Sequence, residues 1–490
     1  MKNPSITLLF GTLVTSSLIN ASEIGILTDP SSTCTSLRNL SLPNVSINFA
    51  TYLTAGTNIS LSQDYDLASC GYTSQIINVD LCRVAMEVKT SERSSITLEA
   101  WLPGQEWTGR FLSTGNGGVS GCIQYADLAY TSALGFATVG ANNGHNGTRG
   151  LAFANNTEVV HDFADRSMHT GVVIGKKVTE AFYGCTHKKS YYIGCSTGGR
   201  QGFKAVQTYP EDFDGVVAGA PALKFPDLSS WSALFYTLFG KDATDPRFVS
   251  VPEWDAVVYP EVMRQCDGID GVVDRVIEDP ELCRFRPEAL LCATGTSKGC
   301  LRREQVESVR AVYTDYYGVD GKLIYPRMQP GSEFVASRAY YTAGEFPYSS
   351  DWYRYVVLND STWDPATYTI QDAKFASDQN PFDIATWHGD ISAFQNAGGK
   401  LRHCGGGDGA FMIGNQLESN YSTHPQNNVL MRMVDWVENG NAPETITGIK
   451  YLNNDKAQGL ELERNHCKYP TRNTCVDPAN YRKPEAWKCV

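Results

Sequence analysis

The segment Gly194-Cys195-Ser196-Thr197-Gly198-Gly199 sets a hydroxyl between glycines in the pattern G-x-S-x-G. Ahead of it runs the strand-like Tyr191-Tyr192-Ile193. Behind it comes the helix-forming Arg200-Gln201-Gly202-Phe203-Lys204-Ala205-Val206. Strand, tight turn and helix are the setting in which such a serine becomes a nucleophile. The turn strains the serine, so its neighbours must be nearly free of side chain. Ser196 is therefore the candidate nucleophile of an acyl transfer, and the N–H of Thr197 can face the developing oxyanion. A second set of donors belongs earlier in the chain. Gly115-Asn116-Gly117-Gly118, after the strand-like Arg110-Phe111-Leu112, offers the amides of Gly117 and Gly118, although spacing alone leaves an ordinary turn equally open. Cys195 reads as paired in an oxidising compartment, and a paired sulfur cannot attack.

A serine nucleophile needs a base, normally a histidine late in the chain. Among eight histidines, His403 stands apart in Arg402-His403-Cys404-Gly405-Gly406-Gly407, followed by a cysteine as Ser196 is preceded by one. A bond between Cys195 and Cys404 would hold nucleophile and base together. His161 and His169, set around Asp162, Asp165 and Arg166, read as structural residues at a helix start. His388, His424 and His466 have no special setting.

A third cluster is Cys266-Asp267-Gly268-Ile269-Asp270-Gly271-Val272-Val273-Asp274-Arg275-Val276. Carboxylates of Asp267, Asp270 and Asp274 at spacings of three and four, with carbonyls of Val272 and Val276, suit a hard cation, and the ligand number favours calcium. The spacing is not that of an EF-hand. The alternative is an acidic surface loop clamped by Cys266–Cys283; such a clamp is worth roughly 3 kcal/mol.

The elements that must position these groups follow from periodicity. Val84, Met86 and Val88 alternate with polar residues, as do Ile96, Leu98, Ala100 and Leu102, which predicts half-buried antiparallel strands. Apolar runs at 136–140, 191–193 and 213–219, with a helical stretch from His169 to Phe182 between the first two, predict a parallel sheet covered by helices. Past Pro221 the rhythm breaks, and residues 225–395 read as an inserted lid rich in aromatics, among them Phe334, Tyr340, Tyr341, Phe346, Tyr348, Trp352, Tyr353 and Tyr355. Such a run is more often core than binding surface.

Residues 1–21, with Lys2, a short apolar stretch and Ile19-Asn20-Ala21, read as a signal peptide. Fourteen cysteines without any C-x-x-C pair, and sequons at Asn39, Asn44, Asn58, Asn146, Asn155, Asn359 and Asn420, fit a secreted glycoprotein. Net charge is −12, from 41 basic and 53 acidic residues, which argues against nucleic acid and anionic membrane surfaces as partners. No apolar run reaches the roughly 18 residues of a membrane span.

With these residues in view, the chain resembles the tannase/feruloyl esterase family of secreted carboxylesterases. The likeness rests on Trp107-Thr108-Gly109-Arg110-Phe111, the Gly115–Gly118 turn, the block from Ser190 to Gly202, Trp436-Val437-Glu438-Asn439-Gly440, and Ala442-Pro443. It implies an α/β-hydrolase fold, with the catalytic domain at 22–224 and 396–490 and the lid at 225–395. It implies a Cys195–Cys404 disulfide, and a structural calcium on Asp267, Asp270, Val272, Asp274 and Val276. Phenolic esters, feruloyl- or galloyl-type, are the implied substrates, with no organic cofactor. Order and resemblance suggest Cys34–Cys82, Cys70–Cys122, Cys292–Cys300 and Cys467–Cys489, leaving Cys185 and Cys475 without partners.

One departure stands out. In family members the stretch resembling Asp390–Leu401 runs into a buried strand, then a His-Gly-x-x-Asp segment bearing the catalytic acid, a helix, a further strand, and only then His-Cys. Here Leu401 joins Arg402-His403-Cys404 directly. The chain thus reads as lacking part of the C-terminal sheet, and the acid stays unassigned: Asp408 is too near His403, and Asp372, Asp378, Asp383 and Asp390 lack the expected context. Two expectations follow: a serine esterase impaired by the missing segment, or a non-catalytic secreted glycoprotein of the same fold. Calcium-dependent carbohydrate binding, resting on the acidic loop alone, is weaker.

Overall fold

The computed structural model describes residues 28–61, 70–71, 73–404, 428–452 and 456–490, with the backbone alone for Cys404 and Lys456. The leader region, the sequon at Asn420, His424, Asp408 and Gly405–Gly407 lie outside the described residues. In chain order the framework is β1 (Val45–Leu53), β2 (Leu81–Lys89), β3 (Ser95–Pro103), β4 (Arg110–Thr114), α1 (Tyr125–Ala133), β5 (Phe136–Ala141), α2 (Ser167–Tyr183), β6 (Lys189–Cys195), α3 (Thr197–Thr208) and β7 (Gly215–Gly219). There follow α4 (Phe225–Phe239), α5 (Pro347–Trp352), β8 (Lys400–Cys404) and α6 (Val429–Asn439).

Eight strands form one sheet in the order β1-β2-β3-β5-β4-β6-β7-β8. The first three run antiparallel, β5 is antiparallel to β3, and β5, β4, β6, β7 and β8 are parallel. This is the antiparallel start and parallel continuation that the periodicity predicts. The half-buried expectation for the early strands needs correction. Arg83 and Glu99, on the polar side of the alternation, are themselves buried. Arg83 donates to both Glu99 oxygens at 2.8 and 2.6 Å, and Trp101 Nε1 and the Tyr125 hydroxyl donate to the same carboxylate at 2.8 and 2.9 Å. A charge pair so fully hydrogen-bonded can be covered, so both faces are buried there.

Helices cover each face. On one, Met168, Val172, Val178 and Phe182 of α2 and Ala205 and Val206 of α3 pack with Val84, Met86, Phe111, Val139 and Val216. On the other, Tyr130 of α1 and Val429, Leu430, Met433 and Val434 of α6 pack with Leu112, Tyr191, Ile193 and Val217. Gly215 has no side chain because α6 lies on it: an added Cβ would stand 2.8 Å from Met433 Cγ.

The 225–395 stretch has a core of its own around Trp231, Phe235, Phe239, Trp254, Val309 and Tyr341. A second core joins it to the sheet domain through Phe153, Phe163, Phe225, Trp352 and Tyr353. Among the described residues five disulfides are closed: Cys34–Cys82, Cys70–Cys122, Cys266–Cys283, Cys292–Cys300 and Cys467–Cys489. Cys185 and Cys475 form none. The pairing of Cys195 with Cys404 turns on a side chain outside the described residues. Among the described residues no helix is long and apolar enough to cross a membrane, and β8 has a single neighbour in the sheet, β7.

Candidate active site

Ser196 sits between β6 and α3 with φ 60° and ψ −117°, left-handed backbone that a serine adopts only under constraint. The constraint is visible. Its N–H donates to the Gly219 carbonyl at 2.9 Å, and its carbonyl accepts from Ala222 N at 3.1 Å and Arg200 N at 3.0 Å. The flanking glycines are sterically required: a Cβ on Gly199 would stand 2.4 Å from Gly219 O, and one on Gly198 2.9 Å from Asn116 O. Ser196 and Cys195 are exposed, while Thr197 is buried.

The Gly115–Gly118 turn lies directly against this elbow. Thr197 Oγ1 donates to Gly118 O at 2.6 Å, and Gly115 N to Ile193 O at 2.9 Å. The amides of Gly117, Gly118 and Thr197 have no acceptor among the described residues, which leaves three donors beside one hydroxyl. A buried polar network fixes the turn from below. Gln201 Oε1 accepts from Asn116 N at 3.0 Å and Gln201 Nε2 donates to Asn143 Oδ1 at 2.9 Å. Asn116 Nδ2 donates to the carbonyls of Cys122 and Ala141, and Ser120 Oγ to Gly117 O. Asn116, Asn143 and Gln201 were not singled out by sequence reasoning; the amide next to the glycines was the available signal. Arg200 is also buried and donates to Ala164 O and Phe163 O at 2.6 and 2.9 Å. Burial lowers its guanidinium to about 10.

His403 lies inside β8, in register with Ala218 of β7, and its ring is 5.9 Å from that of Phe203 on α3. Ser196 follows β6, on the other side of β7, and no hydrogen bond joins Ser196 to His403 among the described residues. Cys195 and Cys404 both stand in register with Gly219, one on each side of it; backbones two strands apart are separated by about 10 Å. His403 keeps an exposed surface; partial desolvation first, and the Arg402 charge second, hold its imidazole below its ordinary pKa. An orienting carboxylate would act in the opposite sense. The aspartates that precede His403 in the sequence have other partners. Asp372 caps Thr369, Asp378 holds Lys374, Asp383 meets Lys204, and Asp390 accepts from Ser392 N.

The acidic loop is a separate construction. Asp267 is buried, and its carboxylate accepts the amides of Asp274 and Arg275. Asp270 accepts from Val272 N at 2.9 Å and Asp274 from Val276 N at 3.1 Å. Asp274 is paired with Arg464, which also meets Glu278 at 2.9 Å. Asp270 Oδ2 is buried without a hydrogen-bond partner. Burial first, and then the Asp274 charge, push the Asp270 carboxyl up to about 6 against the Val272 amide. Among the described residues no group of three or more His, Cys, Asp or Glu side chains is arranged to hold a metal ion.

The protein-family comparison matches residues 82–404 to tannase and feruloyl esterase. The probable feruloyl esterase B-2 of Aspergillus oryzae is 50% identical over 498 residues, covering 92% of this chain and 94% of the relative. That match is longer than this chain's 490 residues, so the relative carries positions inside it that this chain lacks. Feruloyl esterase C of Talaromyces stipitatus is 47% identical over 500 residues, covering 92% and 93%. The crystal structure of feruloyl esterase B from Aspergillus oryzae superposes with a TM-score of 0.88 at 44% identity, over 94% of this chain and all of that one. A match across most of the chain, in sequence and in fold, has one reading: this chain belongs to the tannase and feruloyl esterase family of carboxylic ester hydrolases.

Proposed function

We propose that the chain is a secreted serine esterase for phenolic esters of feruloyl or galloyl type, and that its turnover is impaired. Ser196 Oγ attacks the ester carbonyl and water then releases the acid from the acyl-enzyme; the proton transfers of this cycle fall to His403, and its place in β8, two strands from β6, is what impairs them. The amides of Thr197, Gly117 and Gly118 hold the oxyanion. The observation that carries this reading is the Ser196 backbone, held at φ 60° beside three amides that have no acceptor among the described residues. Impairment is supported by His403, which sits within a strand with no orienting carboxylate among the described residues, and by the positions that the Aspergillus oryzae relative has and this chain lacks. Loss of the acid's role alone costs roughly 10⁴-fold in triad hydrolases. Five disulfides support secretion.

Calcium in the acidic loop belongs to the same proposal: Asp270 would supply a carboxylate oxygen and Val272 and Val276 their carbonyls, while Asp267 and Asp274, which here meet backbone amides and Arg464, would turn to the ion on binding. The orphaned Asp270 Oδ2 supports it, because a buried carboxylate oxygen without a donor is compensated by a cation. Its role is structural.

The test compares the chain with Ser196→Ala. Slow, Ser196-dependent labelling by a fluorophosphonate is expected, with methyl ferulate and methyl gallate turned over about 10⁴-fold below an intact triad enzyme. Turnover at ordinary rates would refute impairment, and labelling that survives Ser196→Ala would refute the nucleophile.

A further inference from the structure

Among the lid aromatics, Tyr348 reaches the oxyanion turn. Gly118 has φ +57°, and a Cβ there would stand 2.5 Å from Tyr348 Cζ and 2.9 Å from its hydroxyl oxygen. The tip of the ring therefore rests on the Gly118 backbone, one hydrogen bond from Thr197. Tyr348 nevertheless keeps 37% of its surface exposed, and its hydroxyl bonds to no described residue.

The ring is rigidly presented. It meets Phe346 edge-on at 5.0 Å, and Phe346 meets Tyr340 at 4.8 Å, which leads back to Trp231 in the lid core. Its helix α5 is pinned to the sheet domain at the other end. Asp351, fully buried, accepts from Arg149 Nε and Nη2 at 2.7 Å each and from Gly150 N at 2.8 Å. Trp352 is packed against Phe153, Phe163 and Phe225. A large aromatic that is half-open to solvent yet fixed by its neighbours is pre-organised for contact, because little side-chain entropy remains to be lost.

We infer that Tyr348 determines the preference for aromatic esters: its ring is the wall against which the phenolic ring of the substrate is held. The inference deepens the proposed function and rests on it for the position of the ester. With the carbonyl oxygen at Gly117–Gly118, the groups on the carbonyl carbon lie within reach of a ring touching Gly118. Ring centroids 4.5–7 Å apart, offset or edge-on, give the favourable geometry.

Binding, not turnover, tests this, so the experiment uses Ser196→Ala chains and isothermal titration with methyl ferulate and methyl hexanoate. Tyr348→Phe is expected to bind methyl ferulate within about twofold of the parent. Tyr348→Leu is expected to bind it about tenfold more weakly while methyl hexanoate stays within about twofold. Tyr348→Gln serves the same comparison should the leucine variant fold poorly. Equal loss for both esters, no loss for either, or a parent that does not bind methyl ferulate overturns the inference. Fluorophosphonate labelling of the unsubstituted chain separates the two ideas: without labelling, but with ferulate binding still dependent on Tyr348, the nucleophile assignment falls and the aromatic wall stands.

Discussion

Glu438→Gln probes how α6 is fastened beneath the nucleophile strand. The Glu438 carboxylate accepts from Arg110 Nε and Nη2 at 2.7 Å each and from the Tyr191 hydroxyl at 2.8 Å. One side chain thus ties α6 to β4 and to β6. The pair retains 19% and 26% side-chain exposure. It lies between a surface ion pair, worth about 0–1 kcal/mol, and a buried one, whose breakage costs about 3–5 kcal/mol. After discounting for solvent, we expect Glu438→Gln to lose about 2 kcal/mol near pH 7. The pH dependence follows from the carboxyl itself. Burial pushes it up, but the Arg110 and Tyr191 hydrogen bonds and the Arg110 charge outweigh that and leave it below its ordinary value. A depressed acid stabilises fully above the unfolded glutamate pKa of about 4.3, and the stabilisation fades as pH falls through the folded value. The assay is urea unfolding followed by tryptophan fluorescence from neutral pH down to about pH 3, with Arg110→Met and the double variant completing the cycle. A gap between parent and variant that closes toward low pH, with a coupling near 2 kcal/mol, is expected. A gap below about 0.5 kcal/mol at neutral pH, or one that does not change with pH, would refute the reasoning.

Three further outcomes are expected. His403→Ala should change the rate of fluorophosphonate labelling of Ser196 by less than about twofold, where an engaged base would cost several orders of magnitude; mass spectrometry of the labelled peptide measures it. Gly199→Ala should abolish labelling and destabilise by about 1–3 kcal/mol or more, because its Cβ meets the Gly219 carbonyl and the Pro221 backbone, neither of which can rotate away. Chelation should lower the melting temperature and calcium restore it, since a ligand at a hundredfold excess over Kd stabilises by about 2.7 kcal/mol. Asp270→Asn should remove most of that response.

Much of the sheet was legible because its residues obey simple periods. The run at 191–193, the helix over Thr197–Thr208 and the glycines of the elbow all announce one local geometry, and the structure places them together. What stayed hidden depended on partners far away in sequence. Arg83 and Glu99 look like the solvent side of two strands, and only Trp101 and Tyr125 arriving on the same carboxylate make their burial tolerable. Gln201 looks like an ordinary helix residue until Asn116 and Asn143 meet it from two other segments. Among the lid aromatics, Tyr341 and Trp352 are core while Tyr348 is partly open, a distinction that composition cannot make.

The position of His403 follows from the physics of a parallel sheet edge. β7 is fully buried and presents a ladder of backbone donors and acceptors on its outer side. Residues emerging from the Gly398-Gly399 turn are drawn onto that ladder, and Lys400–Cys404 pair with Gly215–Gly219 one for one. Leu401 is drawn inward by the apolar core, which sets the alternation. His403 is then two residues along on the same face, over Phe203, whatever its chemistry. Shifting the register by one residue would turn Leu401 out of the core, so the ladder resists moving His403 toward Ser196. A point substitution leaves this register in place. On the proposed reading, a longer segment between Leu401 and Arg402 would let its own residues satisfy the β7 edge and release His403 to the loop beyond, so the length of chain at that junction, more than the identity of any one residue there, would govern whether Ser196 gains a base.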